Sequence, residues 1–195
     1  MRGGDIAQRL LTALVRTPSA AMSSALLAML RAFVGICTFQ LAPQDLPRSS
    51  ALLAVTTLGN MSLSMIIYGL ESPFGHALLK AMVETVVLFA ATFTLLFLMS
   101  YGRRLVQTLT ALMGCGAILG GVALLTMVLA PALPPELGLA ILRVNFLLNL
   151  LVIAHILRHA LSTWFLAGLL FAFGYALLVN KFFMIANALL GATPA

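Results

Sequence analysis

Residues 105–130, LVQTLTALMGCGAILGGVALLTMVLA, contain no charged side chain, and neither do residues 51–70, ALLAVTTLGNMSLSMIIYGL. An α-helix needs about 20 apolar residues to cross the hydrocarbon of a bilayer. In lipid every backbone N–H and C=O must be bonded within the protein, and a continuous apolar run achieves this as a helix. A membrane β-barrel would need strands of about 10 residues that alternate apolar and polar positions. These runs are longer and do not alternate. The fold class they dictate is all-α, a polytopic membrane helix bundle.

Three further segments have the same character. Residues 74–100 include Glu84, residues 137–157 hold Arg143, Asn145 and Asn149, and residues 163–187 hold Asn180 and Lys181. The expected fold is therefore five transmembrane helices, at about 51–70, 74–100, 105–130, 137–157 and 163–187, making a domain over 50–190. Proline removes a backbone donor and collides with the preceding turn. Pro18, Pro43, Pro47, Pro73, Pro131, Pro134, Pro135 and Pro194 all fall outside these spans and mark their ends. Only 8% of the chain is charged, with mean hydropathy +1.11, against about 25% charged residues in soluble domains. A water-facing surface cannot be made from so few charges.

Residues 1–49 read as an N-terminal cytoplasmic or interfacial segment. Ile6, Leu10, Leu14 and Val15 can share a helical face with Arg9 and Arg16 at its edges, the pattern of a helix lying in the membrane interface. Residues 20–37 are more apolar, but Arg31 interrupts them. A sixth span there would place an arginine in hydrocarbon at high cost, so an amphipathic or re-entrant segment is expected, with the sixth span as the alternative. Asp5, Arg9 and Arg16 stand where a cleavable signal peptide needs an unbroken apolar core, so the N-terminus is expected to be retained. Ser49 or Ser50 is placed to cap the first span.

Orientation follows from the basic residues, which favour the cytoplasmic side. Arg2, Arg9, Arg16, Arg31 and Arg48 precede the first span, Arg103 and Arg104 separate the second from the third, and Arg158, with His155 and His159, separates the fourth from the fifth. Glu71 and Glu136 are the only charges of the intervening loops. The alternation implies a cytoplasmic N-terminus and an exterior C-terminus. With the compact loops it suggests a bacterial inner (cytoplasmic) membrane. The net charge of +6 is then topogenic and attracts anionic lipid; without a dense basic patch, no nucleic-acid partner is expected. Tyr101 and Trp164 fall at the inner interface, as belt aromatics do.

Polar residues inside the spans are the candidates for function, because ionisable groups in a membrane are costly. His76, Lys80 and Glu84 follow each other at i, i+4 and i+8 and lie on one side of the second span. Arg143, Asn145 and Lys181 are expected at a similar level, in a polar layer where Glu84 could pair with Lys80 or Arg143. Such a layer could bind an ion, a headgroup or a proton. The alternative is structural, with Lys80 satisfying Glu84 in one helix while Arg143 and Lys181 snorkel to the interface. His155 and His159, also i, i+4, could share a metal or haem, but no third ligand is near in sequence. Gly116 and Gly120 form a GxxxG pattern that lets helices approach closely, within the chain or between two copies. Asn145 and Asn149 are expected to bond between helices. Cys37 and Cys115 lack disulfide or metal spacing. No nucleophile elbow, HExxH, phosphate-binding loop or paired carboxylates occur, so no catalytic residue and no cofactor are expected.

The basic N-terminal segment, the proline-bearing lead LAPQDLPRSS, five compact spans and a short tail, GATPA, resemble the Yip1-domain membrane proteins in layout over roughly residues 40–190. The resemblance implies a membrane adaptor, organiser or complex subunit whose partners are the bilayer and other membrane proteins or itself; it carries no functional residue. The competing expectations are a small transporter or channel built on the layer around Glu84, and a haem- or metal-binding subunit using His155 and His159.

Overall fold

A computed structural model describes residues 18–189. The expected amphipathic face of Ile6, Leu10, Leu14 and Val15 and the tail GATPA lie outside the described residues. Helix α1 (Pro18–Cys37) is followed by a 3₁₀ turn at Pro43–Asp45 and five long helices: α2 (Ser50–Gly69), α3 (Phe74–Leu98), α4 (Leu105–Leu129), α5 (Pro135–Leu161) and α6 (Phe165–Leu189). No strand occurs among the described residues. The five long helices are apolar and long enough to cross a membrane. The protein is an all-α, multi-pass membrane bundle.

Local chemistry sets the helix ends. The Ser49 hydroxyl accepts from the Leu52 backbone N–H at 3.2 Å and caps α2. Pro73 caps α3, and Pro134 and Pro135 open α5, where a missing N–H costs nothing because first-turn donors have no partner within the helix. Ser100 and Ser162 take left-handed backbone conformations, φ 62° and 52°, just past the ends of α3 and α5. Inside the spans, the hydroxyls of Thr56, Thr85, Thr108, Thr110 and Thr126 donate to carbonyls one turn back. A hydroxyl can thus be carried into lipid without an unmet hydrogen bond.

The five long helices form a ring in the order α2, α3, α6, α5, α4 and back to α2. Short connections make successive helices antiparallel, leave α2 and α4 as the one parallel pair of neighbours, and give the bundle two chemically different ends. One, the basic end, bears Arg103, Arg104 and Arg158; the other bears Glu71 and Glu136. Large apolar side chains such as Val55, Leu58, Val86, Phe97, Leu125 and Leu166 are exposed around the outside. So much exposed apolar surface belongs in lipid rather than water.

The tightest packing is toward the basic end. Phe33 and Ile36 of α1 insert against Ala111, Leu112 and Cys115 of α4 and Val152 and Ile156 of α5. Arg31, on the same helix, is exposed. Gly114 allows the approach, since a Cβ there would collide with the Phe33 ring. Cys37 and Cys115 are both free, and the Cys115 thiol donates to the Phe33 carbonyl at 3.7 Å, tying α4 to α1. Gly116 and Gly120 face α2: a Cβ at Gly116 would lie 2.8 Å from Asn60 Oδ1, and one at Gly120 would lie 3.0 Å from Leu63. The glycine pattern is thus occupied by a helix of the same chain.

A hydrogen-bonded clasp closes the basic end. Arg104 Nη1 donates to the carbonyls of His159 and Ala160, both at 3.0 Å, and to Ser162 Oγ at 2.7 Å. Gln107 Nε2 donates to the carbonyls of Gln44 and Leu46, and Gln44 Nε2 to that of His159. The guanidinium thereby satisfies the Ala160 carbonyl and adds a further donor to the His159 carbonyl, which also accepts from the Ser162 N–H at 3.4 Å, in the last turn where helix carbonyls lack their usual partners. Arg104→Met should lower the apparent Tm in mild detergent by about 3–5 °C, because a partly exposed charged hydrogen-bond set contributes about 1–2 kcal/mol. An unchanged melting curve would show that the clasp adds nothing.

Candidate functional site

Four polar side chains from four different helices share one level. Asn60, Glu84, Asn145 and Tyr175 each lie ten residues past the first residue of their helix (50 to 60, 74 to 84, 135 to 145, 165 to 175). At 1.5 Å per residue that is about 15 Å along the axis, near the middle of a hydrocarbon core roughly 30 Å thick. Since the helices alternate in direction, this one spacing brings all four to mid-membrane from opposite ends.

They surround a cavity of about 300 Å³ at the centre of the ring. Asn60, Ser64 and Tyr68 line it from α2, Glu84 from α3, Cys115 from α4, Asn145 and Asn149 from α5 and Tyr175 from α6. Leu112, Val152 and Ile156 border it and also belong to the apolar cluster around Phe33 and Ile36. The cavity is therefore backed by tightly packed side chains toward the basic end.

Among the described residues, Glu84 supplies the one carboxyl group in this space. Its Oε2 accepts from the Tyr68 hydroxyl at 3.0 Å. Asn145 Nδ2 donates to the Leu119 carbonyl at 3.2 Å, while its Oδ1 is buried without a hydrogen-bond partner among the described residues. A buried amide oxygen left unpaired costs about 1–3 kcal/mol. No lysine, arginine or histidine is among the described residues lining the cavity. The site offers oxygen acceptors, and no protein cation among the described residues answers them.

The residues expected to form a polar layer are thus divided. Glu84 and Asn145 meet at the cavity. Lys80 turns toward the helix end, where its Nζ donates to Ser72 Oγ at 3.0 Å, so Glu84 is answered by Tyr68 rather than by Lys80. Arg143 is exposed on the outer surface beside Leu139, Phe146 and Leu147, and Lys181 is exposed on α6. His76 is half-buried near the start of α3 and does not line the cavity. His155 and His159 are in edge contact, ring centroids 4.7 Å apart, but His155 Nε2 is 3.0 Å from the Leu41 carbonyl and its ring packs on Phe39. The described residues contain no cluster of three metal-ligating side chains.

The chain matches no known protein family. No curated protein and no solved structure matches it either. Its site must therefore be read from its own chemistry.

Sequence reasoning missed Asn60, Ser64, Tyr68 and Tyr175. A signal for three of them was present: Asn60, Ser64 and Tyr68 are spaced i, i+4, i+8, a polar stripe on a span without charge. Such a stripe is costly toward lipid and cheap toward a polar interior. Tyr175 carries no comparable signal, because a lone tyrosine suits an interface or a core equally well.

Proposed function

We propose that this multi-pass membrane protein binds a small cationic solute in the cavity around Glu84, as a small transporter or channel does. The observation that carries the reading is a mid-membrane carboxyl group with no basic side chain beside it among the described residues, facing a void also lined by Asn145 with its unmet Oδ1. A cation with hydrogens to donate would meet both needs: Glu84 supplies charge, and Asn145, with Asn60 and Ser64, supplies further oxygen acceptors. An anion would find a like charge and no cationic partner. Intramembrane acids that face an interior cavity commonly mark ion or substrate paths. The test is calorimetric titration of ethylammonium into the full chain in lipid nanodiscs, wild type against Glu84→Gln. Saturable binding that depends on Glu84 supports the reading; no binding, or equal binding to both proteins, overturns it.

The charge pattern supports placing the basic end in the cytosol, and the compact loops suit a bacterial inner membrane. With Cys37 and Cys115 replaced, a cysteine at Glu136 should react with a membrane-impermeant maleimide applied to intact cells, and one at Arg103 should react only after lysis. The reverse pattern would invert the protein.

A second reading, a Yip1-like membrane adaptor or complex subunit, is supported by the layout of basic lead and compact spans. A stoichiometric protein partner retained through purification in mild detergent would favour it. The haem or metal reading loses ground because His155 is already held by the Leu41 carbonyl.

A further inference from the structure

The ring is not equally tight all round. Its loosest seam lies between α3 and α6, where the outer surface opens into a groove of about 680 Å³. Val86, Ala90 and Leu98 of α3 and Leu170, Leu178 and Phe182 of α6 line it, and all are exposed. Gly174 sits in its wall with open space where a Cβ would stand. The groove is almost wholly apolar, unlike the central cavity. Yet the two adjoin: Leu88, Leu112, Ile153 and Tyr175 border both.

We infer that the α3–α6 groove is the lateral entrance to the Glu84 cavity, and that the ligand is an amphiphile with a protonated amine head and a single hydrocarbon tail. This rests on the cation-binding reading of the cavity and adds the tail and the route. The amine reaches Glu84 and Asn145, between Leu88 and Tyr175, while the tail stays in the groove, level with the lipid chains. Volumes of this size suit a small-molecule ligand, and a tail in contact with both groove and lipid leaves no apolar surface in water. A transmembrane helix from another protein could cover the groove, but it would leave the acceptors of the cavity unanswered. A lipid with a phosphate head would bring negative charge against Glu84.

The experiment uses the full chain in phosphatidylcholine nanodiscs and a dodecylamine carrying a mid-chain diazirine, with crosslinked residues mapped by mass spectrometry. Labelling should concentrate on the groove residues of α3 and α6, such as Ala90, Thr94 and Leu178. It should fall by about tenfold in Glu84→Gln, the loss of one charged hydrogen bond. Gly174→Leu, which fills the groove, should reduce it as strongly, and Gly59→Leu, on the exposed face of α2 with open space around it, should leave it unchanged. Even labelling of every lipid-facing helix overturns the inference, as does groove labelling that persists in Glu84→Gln. The two readings fail separately. If ethylammonium binds in a Glu84-dependent way while dodecylamine labels at random, the cavity reading stands and the lateral route falls. If neither amine binds, both fall.

Discussion

Glu84→Gln is expected to weaken ethylammonium binding at least about 30-fold, the loss that follows when one partner of a buried, hydrogen-bonded charge pair is neutralised. Glutamine keeps the size of the side chain and can still accept from the Tyr68 hydroxyl, which lies 3.0 Å from Glu84 Oε2. The variant therefore removes charge without opening a hole. Its thermal stability should equal or exceed that of the wild type, because a neutral amide is cheaper to keep in a membrane interior than a carboxylate. Tyr68→Phe should leave binding largely intact, since it frees a carboxylate lone pair for the ligand while removing one support of its position. Binding lost together with the fold would implicate Glu84 in assembly, and the melting curve in detergent separates the two outcomes. Binding retained in Glu84→Gln would remove the carboxylate from the site.

The largest effect on folding is expected at Gly168. A Cβ there would run into the carbonyl of Ala154, a backbone atom held inside α5. Helices in lipid associate through close packing rather than through expulsion of water, so small residues at the contact matter most. A side chain can swing away, as Phe33 could from a substituted Gly114; a helix carbonyl cannot. Gly168→Val should therefore separate α5 from α6 and cost about 3 kcal/mol, at the upper end of overpacking penalties. Gly121→Ala and Gly174→Ala should be near neutral, since both positions have open space. The measurement is unfolding of purified protein in mixed micelles with increasing dodecyl sulfate. Equal midpoints for Gly168→Val and the wild type would show that the close approach is not needed. Because α6 carries Tyr175 and one wall of the lateral groove, loss of this contact should also abolish Glu84-dependent binding.

The division between sequence and tertiary structure follows from the solvent. Hydrocarbon forces each long apolar run to satisfy its backbone as a helix, so the fold class and the five long apolar helices can be read from runs such as 105–130 alone. Proline placement gives away the ends for the same reason: Pro73 and Pro135 sit where a helix can begin and nowhere it would break. Rotation of the helices about their axes is a different matter. In a soluble protein an apolar stripe would point each helix inward, but here lipid and interior are both apolar, and leucine fits either. Glu84 could thus have faced Lys80, Arg143 or lipid, and only packing put it opposite Tyr68. The glycines decided that packing through contacts with particular atoms of other helices: Gly116 against Asn60, Gly168 against Ala154. The shared level of Asn60, Glu84, Asn145 and Tyr175 was implicit in the helix starts, but it becomes a site only because the ring closes around it.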